Sequence, residues 1–133
     1  MKKILILCTG NSCRSIIAEA LINFHLSDCV KAYSAGVASS GNVNPKAINV
    51  LQQYKIWDNS YHSKQLDTML NQHYDLVVTV CDNAQQSCPV FPGKTEVIHV
   101  GFADPDGQPY SSFIHTYHEI KAQLISVVKE KLC

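Results

Sequence analysis

The sequence predicts a three-layer αβα fold of the α/β class, with helices covering a central four-stranded parallel sheet. Short apolar runs end at Cys8, at Cys81 and at Val100, each of the length and composition of a buried strand. Between them lie stretches whose apolar residues recur at helical spacing. The chain has 133 residues, 46% of them apolar, enough for one core and not for two, so residues 1–133 are read as a single domain.

The first strand runs from Lys3 to Cys8 and stops at the turn-prone Gly10-Asn11-Ser12. Ile16, Ile17, Ala20, Leu21 and Phe24 then mark a helix reaching about His25. Tyr33 to Gly36 reads as the end of a second strand. Asn44 offers an N-cap and Pro45 a first helical residue for a helix with Ala47, Ile48, Leu51 and Tyr54 on its apolar side. Ser63 is expected to cap a shorter helix carrying Leu66, Met69 and Leu70. Asp75 to Cys81 is the clearest strand, Thr95 to Val100 a further one, and Phe113, Tyr117, Ile120, Leu124 and Val128 form the stripe of a closing helix. Strands alternating with helices imply a parallel sheet whose ligands bind beyond the carboxyl ends of the strands. Cys8, Cys81 and the segment after Val100 share that edge.

Eleven basic residues balance eleven acidic ones, so no global field attracts polyanions, and nucleic-acid binding is disfavoured. A small anion needs only one arginine and a few backbone amides. The opening Met1 to Cys8 imitates a signal peptide, but its apolar run is too short for export, and no stretch approaches the roughly 20 apolar residues that span a bilayer. A cytoplasmic location is expected, and in that reducing setting the six cysteines read as catalytic, redox or packing thiols rather than three bridges. Cys29 and Cys133 have no evident partner and are read as incidental. His115 and His118 are one helical turn apart without a carboxylate cluster, the pattern of a solvated face, and no metal site is expected.

Cys8-Thr9-Gly10-Asn11-Ser12-Cys13-Arg14-Ser15 places a cysteine, five residues and an arginine between a strand and a helix. Successive amides of such a loop, with a helix amino end behind them, form an oxyanion cradle, and the planar fork of Arg14 grips two oxygens. Gly10 is expected to supply a backbone angle other residues resist. A tetrahedral anion in the cradle sits on the Cys8 sulfur, which becomes the candidate nucleophile, with Ser15 donating to it and Asn11 bracing the loop. Cys13 is expected to pack in the loop. Neither GxxxxGK[ST] nor GxGxxG occurs, so a nucleotide loop is not supported.

These residues, with Ser34-Ala35-Gly36, Asn44-Pro45-Lys46-Ala47 and Asp104-Pro105, resemble the low-molecular-weight protein tyrosine phosphatase fold family over essentially the whole chain. The resemblance implies that Cys8 is the nucleophile, that Thr9, Gly10, Asn11, Ser12, Cys13, Arg14 and Ser15 bind the oxyanion, and that Asp104 protonates the leaving oxygen. Asp106 reads as a turn residue in Pro-Asp-Gly. A phosphatase needs only water to release its product, whereas a reductase must deliver two electrons, most cheaply from a second thiol. Cys81 and Cys88, with six residues between them on a polar segment able to be helical or to loop out, offer such thiols.

Here the chain is similar to the thioredoxin-coupled arsenate reductase branch of that family. This implies arsenate as substrate, with phosphate or sulfate competing, a transient Cys8–Cys81 disulfide, a final Cys81–Cys88 disulfide, and thioredoxin as the source of reducing equivalents. It further implies no bound cofactor, a monomer and a role in arsenic detoxification. Two other readings stay open: a phosphatase for phosphotyrosine or a small phosphoester, and an arsenic- or redox-sensing binding protein. Related reductases hold a potassium ion with Asn, Glu, Ser and Asp, and the matching positions are Asn11, Glu19, Ser34 and Lys64. A lysine cannot ligate a cation, so its ammonium is expected to stand in for the ion. Ala103 precedes Asp104 where these enzymes often carry another acid.

Overall fold

The computed structural model describes residues 1–89, 91 and 95–133. Strands β1 (Lys2–Cys8), β2 (Val30–Gly36), β3 (Leu76–Thr79) and β4 (Glu96–His99) form a parallel sheet in the order β2-β1-β3-β4. Helices α1 (Arg14–His25), α2 (Pro45–Gln53), α3 (Asp82–Ser87) and α4 (Tyr110–Leu132) complete the α/β fold that the sequence predicts.

β1 is paired on both sides, in register from Lys2↔Val30 to Cys8↔Gly36 with β2 and from Ile4↔Leu76 to Leu7↔Thr79 with β3. Ile4, Leu5, Ile6 and Leu7 are fully buried, which explains why the run shows no polar alternation. α1 packs on β1 and β2 and against α2 and α4, so it is buried continuously from Ser15 to Ile22. Asn44 caps α2, its Oδ1 accepting the Lys46 amide at 2.9 Å with Pro45 behind it. The predicted stripe of α4 is buried at all five positions, and Tyr117 stacks on Tyr54. Chain order reverses between β1 and β3, making a crevice at the carboxyl ends of these two strands.

The structure corrects three expectations. Phe24 is 57% exposed, because the last turn of α1 runs past the elements covering the rest of that helix. Leu66–Met69 is a single 3₁₀ turn and Ser63 does not cap it, since Gln65 is already bridged to Gly36 as a fragment of strand. Cys29 and Cys133 are not incidental: they form a disulfide with Cα atoms 5.8 Å apart across a sequence separation of 104. Cys29 follows α1, Cys133 ends α4, and these helices pack together, so the fold brings two thiols to one place that the sequence keeps far apart.

Candidate active site

Cys8 ends β1 at the crevice and is almost fully buried. The amide of Asn11 donates to its sulfur at 3.1 Å, and the Ser15 hydroxyl lies 2.8 Å from the same atom. Both groups are able to donate to a sulfur acceptor. The left-handed residue of the loop is Asn11 (φ 49°), not Gly10, whose φ is not positive. Asparagine tolerates this region, and here the Asn11 side chain holds it there. Its Nδ2 donates to Ser15 Oγ at 2.7 Å and to Ser34 Oγ at 3.0 Å, and its Oδ1 accepts the Lys64 amide at 2.7 Å.

The orientation of the loop peptides follows from their carbonyls. Those of Cys8, Thr9, Gly10 and Ser12 accept from the amides of Val37, Ala38, Ser40 and Asn44, at 2.9 to 3.0 Å. A planar trans peptide points N–H opposite to C=O, so carbonyls pinned outward aim the amides of Thr9, Gly10, Asn11 and Cys13 inward. The amides of Arg14 and Ser15, first in α1, lack intrahelical acceptors. Gly36 permits the close approach: a Cβ there would stand 2.5 Å from the Thr9 carbonyl oxygen. The supporting segment 37–44 carries little signal of its own in the sequence, because it works through its backbone. Gln65 braces it from outside, accepting the Ser39 amide at 2.8 Å, and Ser63 braces the cradle, donating to the Gly10 carbonyl at 3.0 Å.

The cavity above Cys8 holds about 300 Å³ and is walled by Thr9, Gly10, Ser12, Cys13, Arg14, Ser40, Asp104 and Asp106. Arg14 donates to the Phe102 carbonyl at 3.1 Å and stands 3.4 Å from Asp104. Asp106 is the expected turn residue, beside Gly107 at φ 79°, and it also lines the cavity. Burial pushes the Cys13 thiol up to about 12, helped by Asp104 and Asp106 and opposed by a hydrogen bond to Ser12, so this sulfur stays protonated.

Cys81 lies two residues beyond the last β1–β3 pair, opposite Thr9 on the adjacent strand. Its sulfur is 3.2 Å from Thr9 Oγ1 and accepts the Ala84 amide at 3.4 Å as the N-cap of α3. Cys88 is the C-cap of α3, half-buried, its thiol pushed up by burial. His99 bridges Thr79, at 2.8 Å, and Asp82 of α3, at 3.3 Å, a tether without a sequence motif.

Asn11, Glu19, Ser34 and Lys64 gather beneath the cradle, and Ser34 donates to Glu19. Lys64 Nζ stands 3.9 Å from Glu19, so the fourth position brings a positive charge, and these residues do not fit a bound cation. His115 and His118 turn to different partners, Glu119 at 3.1 Å and Tyr54 at 2.9 Å.

A buried cysteine in an amide-lined cradle, with an arginine beside it at the switch point of a parallel sheet, defines an enzyme class that handles tetrahedral oxyanions through sulfur. The chain belongs to the low molecular weight phosphotyrosine protein phosphatase family, whose model matches residues 3–132. Within that family it is 40% identical over 125 residues to arsenate reductase 2 of Staphylococcus epidermidis, covering 94% of this chain and 95% of that one. It is 41% identical over 120 residues to the arsenate reductase of Staphylococcus aureus, covering 90% and 91%. Among solved structures it is similar to an arsenate reductase from Archaeoglobus fulgidus (TM-score 0.80, 28% identity, 95% and 98% covered). A low molecular weight protein tyrosine phosphatase from T. tengcongensis superimposes as well (TM-score 0.81, 26% identity, 99% and 100% covered).

Proposed function

We propose that this protein reduces arsenate to arsenite with three thiols, Cys8, Cys81 and Cys88, and that thioredoxin restores them. The observation that carries the reading is the placement of a second thiol, Cys81, against Thr9 of the cradle that holds the first. A hydrolytic phosphatase has no use for it. The identity to two staphylococcal arsenate reductases supports the same substrate. Among the described residues the cavity walls include hydroxyls, carboxylates and Arg14 but no aromatic ring, which favours an inorganic oxyanion over phosphotyrosine.

In this mechanism the Cys8 thiolate attacks arsenic while Arg14 and the loop amides hold the oxygens. A bond forms between sulfur and arsenic, an arsenic–oxygen bond breaks, and Asp104 gives its proton to the departing oxygen, which leaves as water. Cys81 then attacks the Cys8 sulfur. The sulfur–arsenic bond breaks with its electron pair going to arsenic, arsenite leaves, and two thiols have become the Cys8–Cys81 disulfide. Cys88 attacks Cys81, freeing Cys8 and leaving Cys81–Cys88 for thioredoxin, whose own dithiol is oxidised in exchange. Phosphate and sulfate compete for the cradle, and slow phosphoester hydrolysis is a by-product. One domain over residues 1–133, acting as a cytoplasmic monomer without a bound cofactor, suffices for every step. Among the described residues no helix is long and apolar enough to cross a membrane.

The test is arsenite production by wild type, Cys81→Ser and Cys88→Ser with thioredoxin, thioredoxin reductase and NADPH, and para-nitrophenyl phosphate hydrolysis alongside. Both variants are expected to lose multiple turnover while ester hydrolysis persists. Brisk ester hydrolysis by wild type with no arsenite would make the protein a phosphatase, and stoichiometric arsenite capture without turnover would make it a sensor.

A further inference from the structure

The Asp104 side chain is half exposed, on a loop with no regular structure. Among the described residues two contacts hold it: Oδ2 stands 3.4 Å from Arg14, and Oδ1 accepts the Asp106 amide at 3.0 Å. The first is one the substrate takes away, since an oxyanion on Cys8 claims the guanidinium fork. What then keeps the carboxyl over the cavity is the second, and it is only as firm as Asp106 itself.

Asp106 is anchored from the opposite side of the molecule's crevice. Asn44 Nδ2 donates to Asp106 Oδ1 at 2.9 Å, and two residues on, Lys46 Nζ donates to the Gln108 carbonyl at 2.8 Å. The turn between these points is tight, with Gly107 at φ 79° and the Gln108 amide donating to the Pro105 carbonyl at 2.9 Å. Asn44 is also tied to the cradle, its amide donating to the Ser12 carbonyl at 3.0 Å. One residue thus touches both the loop that holds the oxyanion and the loop that carries the acid.

We infer that Asn44 is a positioning residue, which through Asp106 fixes Asp104 over the leaving oxygen once substrate has drawn Arg14 away. This inference rests on the reading of Asp104 as proton donor. The proton passes from Asp104 to the oxygen as its bond to arsenic breaks, and Asn44 takes no part in the transfer.

The Asn44 side chain does a second, separable job. Its Oδ1 caps α2, whereas Nδ2 makes the strap. Serine and aspartate both keep an N-capping oxygen. Asn44→Ser removes the strap alone, and Asn44→Asp replaces it with repulsion between carboxylates. Thermal melts of both are expected to match wild type, and if the serine variant melts early the aspartate variant carries the test. With arsenate, thioredoxin, its reductase and NADPH, Asn44→Ser is expected to lower kcat about fivefold and Asn44→Asp about twentyfold, magnitudes typical of one lost hydrogen bond and of one turned repulsive. KM for arsenate should stay within about twofold, because the cradle is untouched.

The deciding comparison repeats both substitutions in an Asp104→Asn background. A residue acting through Asp104 has nothing left to position there, so the effect should vanish. Equal losses in both backgrounds, or no loss beside Asp104, would overturn the inference. The underlying reading fails differently: wild type would make no arsenite, or Asp104→Asn alone would be harmless. In the former case the same cycle run on phenyl phosphate, whose leaving oxygen needs a proton, still decides whether Asn44 acts through Asp104.

Discussion

Asn11 and Gly36 together decide whether the cradle forms. Asn11 accepts a left-handed backbone and ties it down with three side-chain hydrogen bonds, and Gly36 leaves room for the Thr9 carbonyl. Gly36→Ala puts a methyl where a backbone oxygen stands, and overpacking of this kind costs about 1–3 kcal/mol; arsenite production is expected to fall at least tenfold. Gly10→Ala meets nothing closer than 3.8 Å and should leave urea stability unchanged. Equal damage from the two substitutions would contradict this account. Below the loop, burial pushes the Glu19 carboxyl up against the pull of Lys64 and Ser34, and burial pushes the Lys64 ammonium down against the pull of Glu19. A raised acid binds more protons folded than unfolded, so the stability it contributes is complete below the ordinary carboxyl range and declines as pH rises through the raised value. Urea unfolding between pH 4 and 8 should show that decline in wild type and lose it in Glu19→Gln. Because Lys64 already brings a positive charge to Glu19, exchanging sodium for potassium should leave turnover unchanged; a large rise with potassium would refute the role given to Lys64.

At the scale of the element, the proposed relay requires α3 to open. Its six residues bury only Ala84, and Cys81 and Cys88 cap its two ends. Seven residue steps at 1.5 Å put the capping Cα atoms about 10 Å apart, whereas a disulfide needs less than about 7 Å. Closing Cys81–Cys88 therefore unwinds at least a turn, at little cost in buried surface. Amide exchange at Ala84 to Ser87 is expected to be slow in the reduced protein and fast in the oxidised one, with β1 protected in both. Protection of α3 unchanged by oxidation would exclude the Cys81–Cys88 step. The α2 helix is the opposite case: Asn44-Pro45 announces its start, and that start carries the strap to Asp106. The 3₁₀ turn at Leu66 shows why a capping serine misleads. Ser63 serves the Gly10 carbonyl, a partner 53 residues away that outcompetes a local helix.

At the scale of the whole molecule, the Cys29–Cys133 disulfide ties the turn after α1 to the end of α4, far from the thiols proposed to react. A bridge closing so long a loop constrains the unfolded chain, and Cys133→Ser is expected to lower stability by about 3 kcal/mol while arsenite production at 25 °C stays near wild type. Mass spectrometry after alkylation should count four free thiols before turnover, Cys8, Cys13, Cys81 and Cys88, and two after one turnover without thioredoxin. Alkylation of Cys29 in the unreduced protein would show that the bridge does not form. The sequence by itself determined the parallel α/β fold, the helices carrying the stripes from Ile16 and Phe113 and the one starting at Pro45, and the Cys8-to-Ser15 loop, because each is written in local periodicity, caps and a contiguous motif. Only the tertiary structure decided the outward pinning of the cradle by residues 37–44, the meeting of Cys81 with Thr9, the Asn44–Asp106 strap and the Cys29–Cys133 bridge. Those depend on backbone hydrogen bonds and on pairs up to 104 residues apart, which leave no periodic mark along a chain.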